Sequence, residues 1–309
     1  LSLLVQGPLL PAIVRWARTE RVGLVPSGGR TGLSGGAVAA NGELVVSLER
    51  MNRALGFDPV DRTLTVQAGM PLEALQNAAR EHGLAYPVDF AARGSCTIGG
   101  NIATNAGGIR VIRYGNTRDW VAGLKLVDGR GELLDLGRAL VKNSSGYDLR
   151  HLAVASEGTL GIIVEATLRL ADPPPDSSVM LLALPDFASL MRVFETLRAR
   201  LRLEAFEFFT DRALHHVLAH GAQAPFDETH PYYVVTEFAA GEAEEGAALA
   251  AFEHCVGEGW VLDGVISQSQ AQAAQLWRLR EGITESLAPY VPYKNDVAVR
   301  ISADRKSTR

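Results

Sequence analysis

Cysteine is nearly absent from this chain of 309 residues. Cys96 and Cys255 cannot build a disulfide framework and have no metal-ligand spacing, so a reducing compartment is the default: cytoplasmic, or mitochondrial for a eukaryotic source. No apolar run approaches the roughly 20 residues that span a bilayer, and no signal-peptide pattern is present. Lysine is scarce, four residues beside 26 arginines, and the formal net charge of −5 argues against nucleic acid or an anionic membrane as partner. Two nucleotide-binding signatures are also missing, the G-x-G-x-x-G fingerprint and the Gly-Lys pair of a Walker loop. The chain opens on Leu1, and its last residues, ADRKSTR, lack periodicity. Both ends read as trimmed.

Glycine, by contrast, is plentiful and unevenly placed. Of 31 glycines, 24 lie at or before Gly161 and 7 after it. Glycine is used where a backbone needs φ > 0 or must come close to a ligand. Three stretches concentrate it: PSGGRTGLSGG (Pro26 to Gly36), GSCTIGGNIATNAGG (Gly94 to Gly108) and SEGTLGII (Ser156 to Ile163). Main-chain N–H groups in such a turn can form a nest for phosphate oxygens. Alone, the first stretch is as much a surface turn as a ligand loop. The second adds Asn101, Thr104 and Asn105, short polar side chains able to bind phosphate or ring edges. With the third, the pattern favours a large anionic ligand, and a dinucleotide is the natural candidate.

Strand and helix signals alternate around these stretches. Helices are expected at 10–17 and 71–82, the latter opened by Pro71 and closed by Gly83. Strands are expected at 23–26, 43–48, 63–68, 121–127, 132–136 and 162–170, with a hairpin turn at Asp128 to Gly131. Ala171-Asp-Pro-Pro-Pro-Asp is the clearest linker, because three prolines continue neither a helix nor a central strand. Beyond it, strands at 179–184, 205–209, 232–238 and 260–265 alternate with helices at 187–201, 212–219, 242–257 and 270–287. That pattern predicts an α+β domain with helices on one side of a largely antiparallel sheet. The domains are expected to be 1–171 and 172–309.

From about Pro26 to Leu170 the motifs PSGGRTGLSGG, PVDF, GSCTIGGNIATNAGG, RYGNTRDWV, NSSGYDLRHL and ASEGTLGIIVEATL follow, in order, those of a known flavoprotein family. The stretch resembles the FAD-binding domain of the family that includes vanillyl-alcohol oxidase and the flavin-dependent D-2-hydroxy acid dehydrogenases. The resemblance implies a two-subdomain α+β FAD-binding domain followed by an incomplete α+β cap, or substrate, domain. It places the FAD pyrophosphate on the first two glycine loops. The expected contacts are Ser27, Gly28, Gly29, Arg30, Thr31, Gly32, Leu33, Gly94, Ser95, Ile98, Gly99, Gly100, Asn101, Thr104, Asn105, Ala106, Gly107, Gly161 and Ile163. Some relatives attach the flavin through a histidine near the first loop. No histidine precedes His82 here, so non-covalent FAD is expected.

A second set of residues bears on the substrate. On a helix Arg280 and Thr284, four apart, share a face. Arg280 can offer a planar fork to a carboxylate, and Lys294 follows at a turn set by Pro289 and Pro292. On chemistry alone, a solvated helix with Arg280 paired to Glu281 or Glu285 is the better reading. The resemblance reverses this: in the subgroup that oxidises D-2-hydroxyglutarate, an arginine, a threonine four later and a lysine soon after hold substrate carboxylates. D-Lactate and glycolate dehydrogenases or oxidases share the flavin motifs and stay open as alternatives, as do a non-catalytic FAD-binding fragment and a flavin reductase of sugar-nucleotide synthesis.

His216 and His220 have helical i, i+4 spacing but no third ligand, so an exposed helix face is expected. Relatives carry a further H-x-x-G-D-G-N stretch that binds a divalent metal such as zinc. That stretch is absent here, so the metal and the catalytic base are expected only in a full-length protein. The expected partners are a 2-hydroxy acid and an electron-accepting flavoprotein or quinone, since no nicotinamide fingerprint is present. A homodimer is left open.

Overall fold

A computed structural model describes residues 2–5, 9–137, 139–293, 295 and 297–301. The chain divides into two compact units, 1–174 and 175–309. Among the described residues no helix is long and apolar enough to cross a membrane.

The first unit runs β1 (Ser2–Leu4), α1 (Leu10–Glu20), β2 (Leu24–Ser27), β3 (Leu44–Ser47), β4 (Ala54–Asp58), β5 (Thr63–Gln67) and α2 (Leu72–Glu81). Four short helices follow in the same unit, α3 (Ile98–Ala103), α4 (Val111–Tyr114), α5 (Thr117–Trp120) and α6 (Arg150–Ala153). Its remaining strands are β6 (Val121–Val127), β7 (Leu133–Asp135) and β8 (Ile162–Arg169). These strands form two sheets, a parallel one in the order β1-β3-β2 and an antiparallel one in the order β4-β5-β8-β6-β7. One apolar core joins them: Val5, Leu10 and Val46 from the first sheet and its helix lie in the same cluster as Leu64, Val66, Leu124 and Leu168. Each such fully buried aliphatic side chain stabilises the fold by about 1.5–3 kcal/mol.

Helix α2 shows how local sequence fixes an element. Pro71 stands just outside it in an extended conformation, while Leu72, Leu75 and Ala79 form one buried stripe. Gly83, at φ +71°, ends it, with Gly83 N–H donating to Arg80 O and Leu84 N–H to Ala79 O. This is a Schellman motif, in which a left-handed glycine satisfies the last carbonyls of the helix.

The second unit contains β9 (Ser177–Leu184), α7 (Phe187–Arg200), β10 (Leu203–Thr210), α8 (Asp211–Ala219), β11 (Tyr232–Ala239), α9 (Glu242–Gly257), β12 (Asp263–Ile266), α10 (Gln270–Glu281) and α11 (Ile283–Leu287). Its antiparallel sheet has the order β10-β11-β9-β12, two interleaved split βαβ units. Side-chain oxygens of Asp186, Thr210 and Ser269 cap α7, α8 and α10.

Two expectations for this unit need correction. Helices cover both faces of the sheet: Met180, Leu182 and Leu184 pack with α7 and α9, while α10 lies against β9, β10 and β11. The intervening Val179, Leu181 and Ala183 are just as buried. The reason is visible in β9, whose VMLLAL run leaves no polar face for water. The expected single helix at 270–287 also breaks, because Gly282 separates α10 from α11.

Arg150 fastens the segment before α6 to strand β6. Its guanidinium donates to the carbonyls of Val121 and Ala122 and to both carboxylate oxygens of Asp148. The hydrogen bond from Arg150, against a smaller opposing effect of burial, holds the Asp148 carboxyl below its ordinary value of 3.8. A depressed carboxylate contributes stability that is fully present above its unfolded pKa and is lost as pH falls through the folded one. Asp148→Asn is therefore expected to lower the urea midpoint at pH 7. Below about pH 4 the gap from the unsubstituted protein should narrow. A gap independent of pH would show that the ion pair contributes nothing.

Candidate functional site

Strands β2 and β3 are parallel, and the first glycine stretch leaves the carboxyl end of β2, where open parallel sheets commonly place ligands. Main-chain packing decides its course. A Cβ on Gly29 would lie 2.0 Å from Ser95 O and 2.8 Å from Cys96 Cα. The loop thus rests backbone on backbone against the second glycine stretch, which no residue with a side chain could do. That second stretch is tied down in turn, with Ile98 N–H donating to Met70 O (2.9 Å) and Gly99 N–H to Ala68 O (2.7 Å). The third is fastened to the end of α3 by Ala155 N–H to Ile102 O (3.1 Å) and Glu157 N–H to Ala103 O (2.9 Å).

The three stretches enclose an open cavity of about 290 Å³. It is lined by Pro26, Ser27, Gly28, Gly29, Arg30, Thr31, Gly32, Ser34, Gly36 and Ala37 from the first. Thr97, Gly99, Gly100, Asn101, Ala103, Thr104 and Ala106 come from the second, and Glu157, Gly158, Gly161, Ile162 and Ile163 from the third. Leu48, Phe90 and Ala92 add apolar wall. Gly161 sits at φ +154°, where a Cβ would strike Leu126 Cδ1 at 2.4 Å and Val127 O at 2.6 Å.

Of the nineteen expected FAD contacts, thirteen line this cavity and Leu33, Gly94, Ser95, Ile98, Asn105 and Gly107 do not. Leu33 is 71% exposed, and Ile98 belongs to the apolar core. Asn105 turns its side-chain oxygen to the N–H of Arg118 (2.9 Å), and Gly107 packs on Asn116 and Val111. Gly94 lies near the Glu73 carboxylate. Ser95 lines a smaller cavity of about 230 Å³ behind Gly28 and Gly29, together with Glu49 and Asn52. The additional lining residues Pro26, Ser34, Gly36, Phe90, Thr97 and Glu157 all fall inside the motifs already singled out. Leu48 and Ala92 carried no sequence signal.

The chemistry suits a dinucleotide. Among the described residues, no protein acceptor takes the main-chain N–H groups of residues 28–34. These N–H groups stay available to an acceptor ligand, and a glycine-rich loop that carries Arg30 suits a pyrophosphate. Phe90, Ile162 and Ile163 offer apolar surface to a ring. Cys96 is buried, and burial pushes its thiol up, so it stays a neutral thiol with Asn101 Nδ2 at 3.6 Å. Among the described residues no cysteine or histidine lines the cavity.

In the second unit Arg280 is half-buried. Its Nε donates to Glu207 Oε2 of β10 at 3.0 Å, and its Nη2 lies 2.9 Å from the same oxygen as an ion pair, rather than with Glu281 or Glu285. Thr284 lies across the Gly282 break and is exposed. Lys294 lies outside the described residues. Glu207 thus occupies the Nε and Nη2 side of the guanidinium, which leaves the Nη1 edge for a second carboxylate. His220 Nδ1 contacts His216 O at 2.8 Å, and among the described residues no three His, Cys, Asp or Glu side chains are grouped as a metal would need.

Fold and cavity together define a two-unit protein with a glycine-built cavity suited to a dinucleotide, and comparison with known proteins specifies the class. Residues 10–137 match the FAD binding domain family, and residues 173–303 match the C-terminal domain of FAD linked oxidases. The chain thus carries an FAD-binding domain followed by the C-terminal domain of FAD linked oxidases. It is 80% identical over 293 residues to a protein of Xanthomonas citri pv. viticola named D-2-hydroxyglutarate dehydrogenase, covering 94% of this chain and 62% of the relative. A second protein of that name, from Stutzerimonas stutzeri, is 55% identical over 94% of this chain and 63% of its own length. The chain therefore spans somewhat under two thirds of these relatives. Among solved structures, an alkyldihydroxyacetonephosphate synthase shares the fold, with a TM-score of 0.70 at 20% identity over 94% of this chain and 54% of the other.

Gly29→Ala is expected to separate the first two glycine stretches. Overpacking against immovable backbone costs about 1–3 kcal/mol. Thermal unfolding should shift down accordingly, and FAD titration of the purified protein should show weakened uptake. An unchanged melting temperature and FAD affinity would remove this contact from the account.

Proposed function

We propose that this chain supplies the flavin unit and part of the substrate unit of a dehydrogenase that oxidises D-2-hydroxyglutarate to 2-oxoglutarate. The observation that carries this reading is the 80% identity, over 94% of the chain, to a relative named for that activity. The FAD is held without a covalent bond, in keeping with a cavity that, among the described residues, is lined by no histidine or cysteine. When bound, FAD accepts a hydride from a carbon bearing a hydroxyl and passes the electrons on, here to a flavoprotein or quinone.

The chain's own residues bind and orient. Main-chain N–H groups of the first glycine loop and Arg30 hold the pyrophosphate, and the apolar wall excludes water from the ring. Arg280, steadied by Glu207, presents its outer edge to a substrate carboxylate, with Thr284 and Lys294 completing the clamp. A fixed planar fork binds a carboxylate bidentately, and positioning of this kind can supply several kcal/mol of a barrier. A divalent metal and a base would draw on residues beyond those described. D-Lactate and glycolate, each with a single carboxylate, are the competing substrates.

The test is an anaerobic visible spectrum of the FAD-loaded protein before and after each hydroxy acid. Bleaching by D-2-hydroxyglutarate in preference to D-lactate or glycolate is the expected result. Preferential bleaching by either of the others would replace the substrate, and a folded sample that takes up no FAD would sink the reading altogether. Arg280→Ala should leave the flavin bands unchanged yet lower kcat/KM roughly 100-fold where turnover is measured, the loss of two charge-assisted hydrogen bonds. Unchanged turnover would exclude Arg280 from the clamp.

A further inference from the structure

We propose that Glu157 is the hydroxyl acceptor of the flavin cavity, its carboxylate binding a vicinal diol of the dinucleotide. The diol belongs either to the ribose of the AMP half or to the ribityl chain. This inference rests on reading the cavity as the FAD site.

Among the described residues two charged ones line the cavity, Arg30 and Glu157. Arg30 is accompanied by Glu49 at 3.5 Å and adjoins the free N–H groups of the first loop, which makes that end the anion-binding one. Glu157 stands against the later part of the same loop, where a Cβ on Gly36 would come within 3.3 Å of its Oε2. Among the described residues no protein group donates to the Glu157 carboxylate. Glu157 is exposed, and a carboxylate accepts hydrogen bonds rather than donating them, so it disfavours phosphate and suits a donor from the ligand. Its two oxygens match two adjacent hydroxyls. The flavin ring's N3–H is flanked by two carbonyl oxygens that would oppose a carboxylate, and the adenine amino group donates from one nitrogen rather than from two adjacent oxygens. Acidic side chains bind ribose hydroxyls in this way in other dinucleotide sites.

The backbone at this point supports a ligand-directed role. Glu157 has φ +49°, Ala155 φ +65° and Gly158 φ +81°, a run that glutamate and alanine rarely adopt. Hydrogen bonds from Ala155 and Glu157 to the last carbonyls of α3 enforce it. Glycine would fit position 157 with less strain, yet the chain carries a charged side chain there, aimed at the cavity. Strained positions of this kind concentrate at ligand clamps.

The test is fluorescence titration of the apoprotein with FAD, FMN and riboflavin, and with ADP as competitor, for the unsubstituted chain, Glu157→Gln and Glu157→Gly. Glu157→Gly suits the left-handed backbone, so a loss of affinity there reports on the carboxylate rather than on folding. We expect FAD to bind about tenfold more weakly or worse in Glu157→Gly, and to a lesser degree in Glu157→Gln. Weakening confined to FAD and ADP assigns the ribose, and weakening shared by FAD, FMN and riboflavin assigns the ribityl chain. If both variants bind all four ligands as tightly as the unsubstituted protein, the proposal is overturned. If the unsubstituted protein itself takes up no FAD, the reading of the cavity falls with it.

Discussion

The contact on which the first unit depends is a backbone laid on a backbone. Gly28 and Gly29 sit so close to residues 95–97 that any Cβ would overlap carbonyl, Cα or hydroxyl atoms. This contact sets the floor of the cavity, and the other two glycine stretches are referenced to it through main-chain hydrogen bonds. The second hangs from Ala68 and Met70, and the third hangs from the end of α3. Very little of the cavity's shape is therefore left to side chains, which would have to be ordered at an entropic cost on binding. A cavity built of main chain is largely formed before its ligand arrives, which is how binding sites limit the cost of association.

Such construction leaves strain. Eight non-glycine residues among those described have positive φ, and four of them, Arg30, Asn105, Ala155 and Glu157, lie in or directly beside the glycine stretches. Each left-handed non-glycine residue costs roughly 1–3 kcal/mol and persists only where its surroundings over-determine it. The surroundings here are identifiable. Asn105 is held by the Arg118 N–H on its side chain, and Ala155 and Glu157 are held by α3 carbonyls. Of these four residues Arg30 alone keeps a main-chain N–H without a protein acceptor among the described residues, because those of Asn105, Ala155 and Glu157 are taken by carbonyls at the end of α3.

What the sequence disclosed follows from this physics. Glycine is conspicuous where a backbone must come close, so all three stretches could be read directly. Which residues face the cavity could be read only in part, because that depends on what the opposite side of each segment packs against. Ile98 faces the core, Asn105 turns to Arg118, and Gly107 meets Asn116. Glu157 gave no signal because a glutamate announces nothing about its own φ. Strand β4 (ALGFD) escaped notice because its burial is slight and its pattern does not alternate. In the second unit the all-apolar β9 implied cover on both faces, whereas the expectation of helices on one side came from element order alone. The break at Gly282 was also unreadable, since glycine interrupts some helices and is tolerated in others.

The two units handle anionic groups by different means. The first uses uncharged main-chain donors with one arginine, Arg30. The second, under the proposed role of Arg280, uses a full positive charge that already has a partner in Glu207. A main-chain nest does not depend on protonation and stays compatible with a chain of net charge −5, which suits a cofactor meant to remain in place. A guanidinium with one edge engaged by its own carboxylate behaves otherwise. Glu207 fixes the plane of the fork and offsets much of its charge, so an incoming carboxylate gains geometry more than net Coulomb attraction. A site of that kind rewards a ligand whose second anionic group also finds a partner, and it releases product without opposing an unshielded charge. Under the proposed roles, the difference between a retained cofactor and an exchanged substrate would follow from where each donor sits, on the main chain in one case and at the end of a tethered side chain in the other.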